Sequence, residues 1–185
     1  PEQRARQASQ FAMVDKGAEA ATFFSEIIRN DAKSEYAVLH ALWGLGQLYR
    51  QGVEGSADAI VDALSAKNSE IRANAARVAG DAIVTEGQSG LLKLLEDSSS
   101  RVVSLSAIAL GRVAPKGDDE TVNALFAVTK RNQGNDFEVT IRHSLLSALD
   151  RVAGDAQLST FAKSEEVEQR LLCVLLLRRR ARPEL

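Results

Sequence analysis

The sequence predicts an all-α array of stacked helical hairpins, and three observations predict it. A ten-residue pattern recurs as "AVLHALWGLG" (37–46), "IRANAARVAG" (71–80), "VVSLSAIALG" (102–111) and "IRHSLLSALD" (141–150). Each copy opens apolar, is small or apolar at its fifth, eighth and ninth places, and mostly closes on glycine. Weaker copies stand at "RARQASQFAM" (4–13) and "QRLLCVLLLR" (169–178), so the closing positions are 13, 46, 80, 111, 150 and 178. A period in the thirties that wanders this much fits helix pairs with variable loops. The second observation is the spacing inside a copy. Ile71, Ala75, Val78, Ala79 and Ala82 lie on one face of a 3.6-residue helix, as do Val102, Ser106, Ala109, Leu110 and Val113, and Ile141, Leu145, Ala148, Leu149 and Val152. The third is that a second apolar segment follows each of the first five copies, beyond a breaker.

In chain order, residues 1–31 carry "RARQASQFAM" and then "ATFFSEII". Residues 32–68 carry "AVLHALWGLG", the breakers Gly52 and Gly55-Ser56, and "ADAIVDAL". Residues 69–98 carry "IRANAARVAG", Gly87 and "SGLLKLLE", with Ser69 placed as the helix N-cap. Residues 99–135 carry "VVSLSAIALG", then "PKGDD", whose Asp118 is placed to cap "TVNALFAV". Residues 136–164 carry "IRHSLLSALD", Gly154-Asp155 and "AQLSTFA", and 165–185 hold a partial unit. No alternating apolar segment reads as a strand. A glycine within a helix costs roughly 1 kcal/mol relative to alanine. Gly46, Gly80 and Gly111 therefore mark where packed helices come too close for a side chain. Trp43 flanks that stripe, and six of the nine aromatics fall within residues 1–49, which predicts a bulkier core at that end.

Composition narrows the function. Apolar residues make up 45% and charged residues 26%, as in ordinary folded proteins. The net charge of −2 supplies no global field toward nucleic acid. The longest uncharged run, Ala37 to Tyr49, is well short of the ~20 residues a membrane helix needs. Only three prolines (Pro1, Pro115, Pro183) interrupt the helical potential. The chain reads as a segment of something longer.

Few residues carry recognisable chemistry. His40 and His143 fall on first helices of different units, and no H-E-x-x-H or C-x-x-C spacing supports a metal site. Cys173, the single cysteine, sits within "LLCVLLL" and reads as a buried hydrophobe. Asp118, Asp119 and Glu120 are explained by capping and the helix dipole, in preference to calcium. "GQSG" (87–90) lacks the lysine and preceding strand of a phosphate loop. Arg178, Arg179, Arg180 and Arg182 read as solvated or carbonyl-capping side chains. Arg72 and Arg142 share one register, as a ligand ladder or, preferably, as bridges to acids such as Asp81 or Glu70. With a concave face formed by the second helices, Lys93, Asn123, Lys130 and Arg131 are the candidate protein-binding residues. Leu171 to Leu177 are apolar throughout, so Leu172, Leu175 and Leu176 are expected as an exposed packing edge, through which two chains pair as a two-fold dimer.

The "IRANAARVAG"-type first helix resembles that of HEAT repeats, over nearly the whole chain and most strongly at 71–96 and 102–131. That resemblance implies a right-handed α-α superhelix of about five and a half hairpins. "DKG" (15–17), "HALWGLGQL" and "RLLCVLLLRRRARPEL" further resemble the HEAT segment of bacterial PVC-type haem-binding, membrane-bound dehydrogenase-like proteins. Those proteins join a propeller, HEAT repeats and a c-type cytochrome domain, which implies an exported, periplasmic redox parent. The segment itself has no C-x-x-C-H and is expected to hold no cofactor. The function predicted is a non-enzymatic scaffold or spacer that contacts neighbouring domains or a protein partner, with neither nucleic acid binding nor membrane insertion. The alternative is a HEAT-like lyase or DNA glycosylase acting on a concave face.

Overall fold

The computed structural model describes residues 2–30, 34–131 and 139–181. Eleven α-helices follow one another, and among the described residues there is no strand. The first helices of successive pairs are α1 (Gln3–Val14), α3 (Glu35–Arg50), α5 (Ser69–Ala82), α7 (Ser100–Val113), α9 (Val139–Val152) and α11 (Val167–Arg179). Their partners are α2 (Ala18–Arg29), α4 (Asp58–Ala63), α6 (Gln88–Leu94), α8 (Asp119–Arg131) and α10 (Asp155–Phe161), with a 3₁₀ turn at Thr85–Gly87 leading into α6. Each first helix packs on the next first helix, so six of them form one continuous row. The second helices fill the other side, each lying against the first helix of the following pair, with α2 and α4 also against their own.

The core is a single apolar seam between the two rows. Leu42, Leu45 and Leu48 of α3, Leu110 of α7, and Leu145 and Leu149 of α9 are wholly buried, with Ile60, Leu91, Leu125 and Leu158 facing them from the second helices. Phe126 of α8 and Phe161 of α10 stack with ring centroids 3.8 Å apart.

The glycines sit where the first helices touch. A Cβ built on Gly80 would lie 2.7 Å from the Cα of Ala109, and one on Gly111 would lie 2.7 Å from the Cα of Ala148. Both contacts are with backbone of the next first helix, so neither can be relieved by rotating a side chain. The two glycines flanking Trp43 serve different neighbours: Gly44 faces the Phe24 ring of α2, and Gly46 faces Cγ1 of Val78 in α5. Helix propensity is given up at these sites in exchange for helices packed nearly in backbone contact.

Three expectations are corrected. Ser69 is the first residue of α5, and the cap is Asn68, whose side chain accepts from the Glu70 N–H at 2.8 Å. Asp118, by contrast, does cap α8, accepting from the Thr121 N–H at 3.0 Å. The early aromatics do not build a bulkier core. Only Phe24 is buried, while Phe11, Phe23, Tyr36 and Trp43 are exposed and Phe126 is the largest fully buried side chain. The stripe that faces the seam in α3 is leucine, and the rings stand outside it.

The exposed edge of α11 is also formed by residues other than those expected. Leu172 and Leu176 have no exposed surface, and Leu175 is half-buried. The apolar residues left in solvent are Val167, Leu171 and Val174, at 65%, 37% and 59% exposure. The repeat register explains the difference. Position 178 closes the sixth copy, so its fifth, eighth and ninth places are Cys173, Leu176 and Leu177, all buried as in the four central copies. The i, i+4, i+7 set on the opposite side is what remains exposed.

The close backbone contacts give a direct test. Gly80→Ala and Gly111→Ala are each expected to lose about 1–2 kcal/mol in urea denaturation, because overpacking against backbone outweighs a helix-propensity gain of about 1 kcal/mol. Gly46→Ala, opposed only by a valine side chain, is expected to lose less.

Candidate interaction surface

The residues considered for chemistry are absorbed by structure. Arg72 donates to both oxygens of Asp97, at 2.6 and 3.0 Å, and to the carbonyls of Ala66 and Lys67 at 2.8 Å each. It therefore ties the loop before α5 to the loop before α7. Its acid is Asp97, whereas Asp81 and Glu70 pair with other arginines. Arg142 pairs with Glu168 of α11 at 3.1 Å. Arg170, at the same register, caps the carbonyls of Ser164 and Glu165 at 2.7 Å each. These arginines are structural ties between units.

The acidic run is equally occupied. Asp118 accepts from Gln88 of the preceding unit, and Asp119 from Gln157 of the following one. Arg180 is a carbonyl cap, and the helix it caps is its neighbour α9, through Leu149, Asp150 and Ala153. Arg179 pairs with Asp150 at 3.2 Å, Arg178 is exposed, and Arg182 lies outside the described residues. Cys173 is buried, and loss of solvation pushes its thiol up to about 11, so it stays protonated and unreactive. His143 is exposed. His40 is half-buried, with Nδ1 2.7 Å from Gln10 Oε1 and its ring edge-on to Trp43. Burial, and then the nearby Arg6 charge, lower its pKa. Among the described residues no group of three or more His, Cys, Asp or Glu side chains converges to hold a metal ion. No described helix is long and apolar enough to cross a membrane.

Lys93, Asn123 and Lys130 are exposed on the second helices, as the sequence suggests, but they line none of the three joined grooves described next. The Arg131 side chain lies outside the described residues. The grooves lie on the row of first helices and follow from the glycines. A groove of about 560 Å³ between α1 and α3 is bordered by Trp43 and Gln47. The same two residues border a second, of about 260 Å³, between α3 and α5, whose floor includes Gly46. Arg77 and Asp81 then carry it into a third, of about 180 Å³, between α5 and α7, floored by Gly80 and Ala109. Because each groove shares two side chains with the next, the three lie side by side, divided by those side chains, as one stepped furrow across four helices. Small residues that let helices close up leave a notch between the larger side chains on either side.

Charge is sorted between the two rows. The six first helices contain twelve arginines, no lysine and five carboxylates. The five second helices contain seven carboxylates and four basic residues. A chain of net charge −2 thus concentrates its arginines in one row of helices. Within the furrow, Arg6, Arg50, Arg77 and Arg112 stand against a single carboxylate, Asp81, which pairs with both Arg77 and Arg112.

The pattern of HEAT repeats matches residues 57–149, half of the chain. The chain belongs to the HEAT-repeat family. Solved structures show the same helical solenoid. This HEAT chain is similar to a designed armadillo repeat protein in complex with the peptide (KR)4, at a TM-score of 0.61 and 14% identity, covering 93% of this chain and 90% of that one. A second designed armadillo repeat protein matches at 0.58 and 17% identity, covering 96% and 94%. An engineered protein matches at 0.56 and 15% identity, covering 96% and 92%. No curated protein matches the sequence significantly.

The Arg72–Asp97 tie is testable through pH. The hydrogen bonds from Arg72 hold the Asp97 carboxyl below its ordinary value of 3.8, against an opposing push from burial and with help from the Ser99 N–H. A lowered carboxylate contributes stability above its unfolded value and loses it as pH falls through the folded one. Asp97→Asn is therefore expected to cost about 2–3 kcal/mol at pH 7, since it strands a largely buried guanidinium. The gap between the variant and the parent protein should shrink as pH falls below 3.8 and through the lowered folded value; a gap unchanged by acid would contradict the tie.

Proposed function

We propose that this chain is a non-enzymatic interaction scaffold, and that the furrow across its first helices is the surface it offers to a protein partner. The furrow carries this reading: its three adjoining grooves span three helix–helix junctions, its polar groups are mostly arginines and glutamines, and its one imidazole, His40, is paired with the Gln10 amide and not with an acid. Its one carboxylate, Asp81, is engaged by two guanidiniums, which suits an electrostatic contact and not proton transfer. The peptide-bound state of a designed armadillo neighbour supports the use of such a solenoid for protein recognition.

The scaffold is further proposed to be a segment of a larger bacterial redox protein, of the PVC-type haem-binding kind, on the strength of "DKG", "HALWGLGQL" and "RLLCVLLLRRRARPEL". An export signal and a C-x-x-C-H motif in the full-length gene product would bear this out, and their absence would remove it. The second helices, with Lys93, Asn123, Lys130 and Arg131, and the α11 edge, with Val167, Leu171 and Val174, are the other surfaces proposed for contact. The α11 edge is where a neighbouring domain or a second copy would pack.

Photo-crosslinking in the intact parent separates these surfaces. A crosslinking amino acid is placed at position 77, 123 or 174, and the adducts are identified by mass spectrometry. A discrete protein adduct from position 77 is expected. Adducts only from 123 would move the site to the second helices, an adduct with a second copy from 174 would establish the dimer edge, and none from any position would leave a spacer.

A further inference from the structure

Resting on that reading, we infer that the partner segment in the furrow is an extended acidic stretch of protein, whose carboxylates are received by arginines of successive first helices. The furrow already shows the contact it is built to make. Asp81 lies between Arg77 of its own helix, at 3.6 Å, and Arg112 of the next, so a carboxylate bridges guanidiniums presented by two units. Arg50 borders the same groove from α3, and Arg6 borders the first groove from the α1 side, where its guanidinium lies 4.8 Å over the Tyr36 ring.

The register makes this repetitive. In the four central copies the residue after the closing position is Gln47, Asp81, Arg112 and Arg151, and all but the half-buried Gln47 are exposed; in the first copy it is the buried Val14. Such side chains point the same way from helix to helix, so a chain crossing the helices meets one polar side chain per step. Packed helices lie 8–10 Å apart, and an extended strand advances roughly 3.3 Å per residue, so each step takes about three residues. About eight residues span the distance from α1 to α7. Glycine at the junctions lets the guest backbone sit low between ridges, and Leu105 and Ile108 offer it apolar contact at the α7 end.

Arginine suits this task better than lysine. Its planar fork binds a carboxylate through two hydrogen bonds and keeps its charge at all working pH values. A protein of net charge −2 also has little long-range attraction for an acidic partner, so recognition here depends on the sorted face.

The test uses fluorescence anisotropy of the chain with three fluorescein-labelled probes of equal length: the peptide (DE)4, the peptide (KR)4, and an eight-nucleotide oligothymidylate. The expected result is saturable binding of (DE)4, weakened by salt, with no comparable binding of (KR)4. The variant Arg50→Gln/Arg77→Gln/Arg112→Gln is expected to weaken (DE)4 binding by about tenfold or more. Asp81→Asn is expected to tighten it, because two guanidiniums lose their internal acceptor. That gain distinguishes a binding role from a structural one, since a fold merely damaged by the substitution would bind less. Lys116→Glu/Lys163→Glu, on exposed residues outside every proposed contact surface, is expected to leave it unchanged. Tighter binding of the oligothymidylate would replace the acidic peptide with nucleic acid. Preference for (KR)4, binding of none of the three probes, or loss of binding in Asp81→Asn would overturn the inference while leaving the crosslinking result at position 77 to decide whether the furrow is used at all.

Discussion

The approach of one first helix to the next sets every other feature of this molecule. Where Gly80 meets Ala109 and Gly111 meets Ala148, the helices touch through backbone, and no substitution of rotamer can change their separation. That contact fixes the register in which the leucines of the seam interdigitate. It also fixes which residues stand outward on either side of the junction, and so it creates the furrow and decides what lines it.

Around that row, polar side chains lock the loops into step. Arg72 spans the loops before α5 and α7 by pairing with Asp97, Gln88 reaches forward to Asp118, and Gln157 reaches back to Asp119. Each tie crosses from one hairpin to its neighbour, so the unit of stability is the junction between hairpins. Isolated, a six-residue helix such as α4 or a seven-residue one such as α6 or α10 would not hold together in water, because nucleation is costly and too few hydrogen bonds follow. These helices exist because the apolar seam and the ties hold them.

Much of this was legible in the sequence, because periodicity reports on burial. The 3.6-residue stripes located the helices, and the recurring glycine identified the junctions. The misses have physical causes. Asn68 and Ser69 are both good caps, and only backbone geometry at Asn68, with φ −76° and an extended ψ of 122°, selects between them. Aromatic size suggested a core role for Trp43 and Tyr36, yet burial follows register and not bulk. Leu172 and Leu176 were judged on hydrophobicity alone, when the fifth, eighth and ninth places of their own copy put that side inward. The concentration of arginines in one row was hidden by summing charge over the whole chain. Twelve of the sixteen arginines lie in first helices, a count that the sequence yields only once helices are sorted into rows.

The inequality between the rows has a mechanical consequence. First helices run for twelve to sixteen residues and meet at backbone distance, while three of the second helices have only six or seven and press chiefly on the neighbouring first helix. Bending such a stack is like flexing a watch strap riveted along one edge: the riveted edge keeps its length, and the links on the other edge fan apart or close together. Curvature can therefore change with little stretch along the furrow, so a guest laid in it would keep its spacing while the body behind it gives.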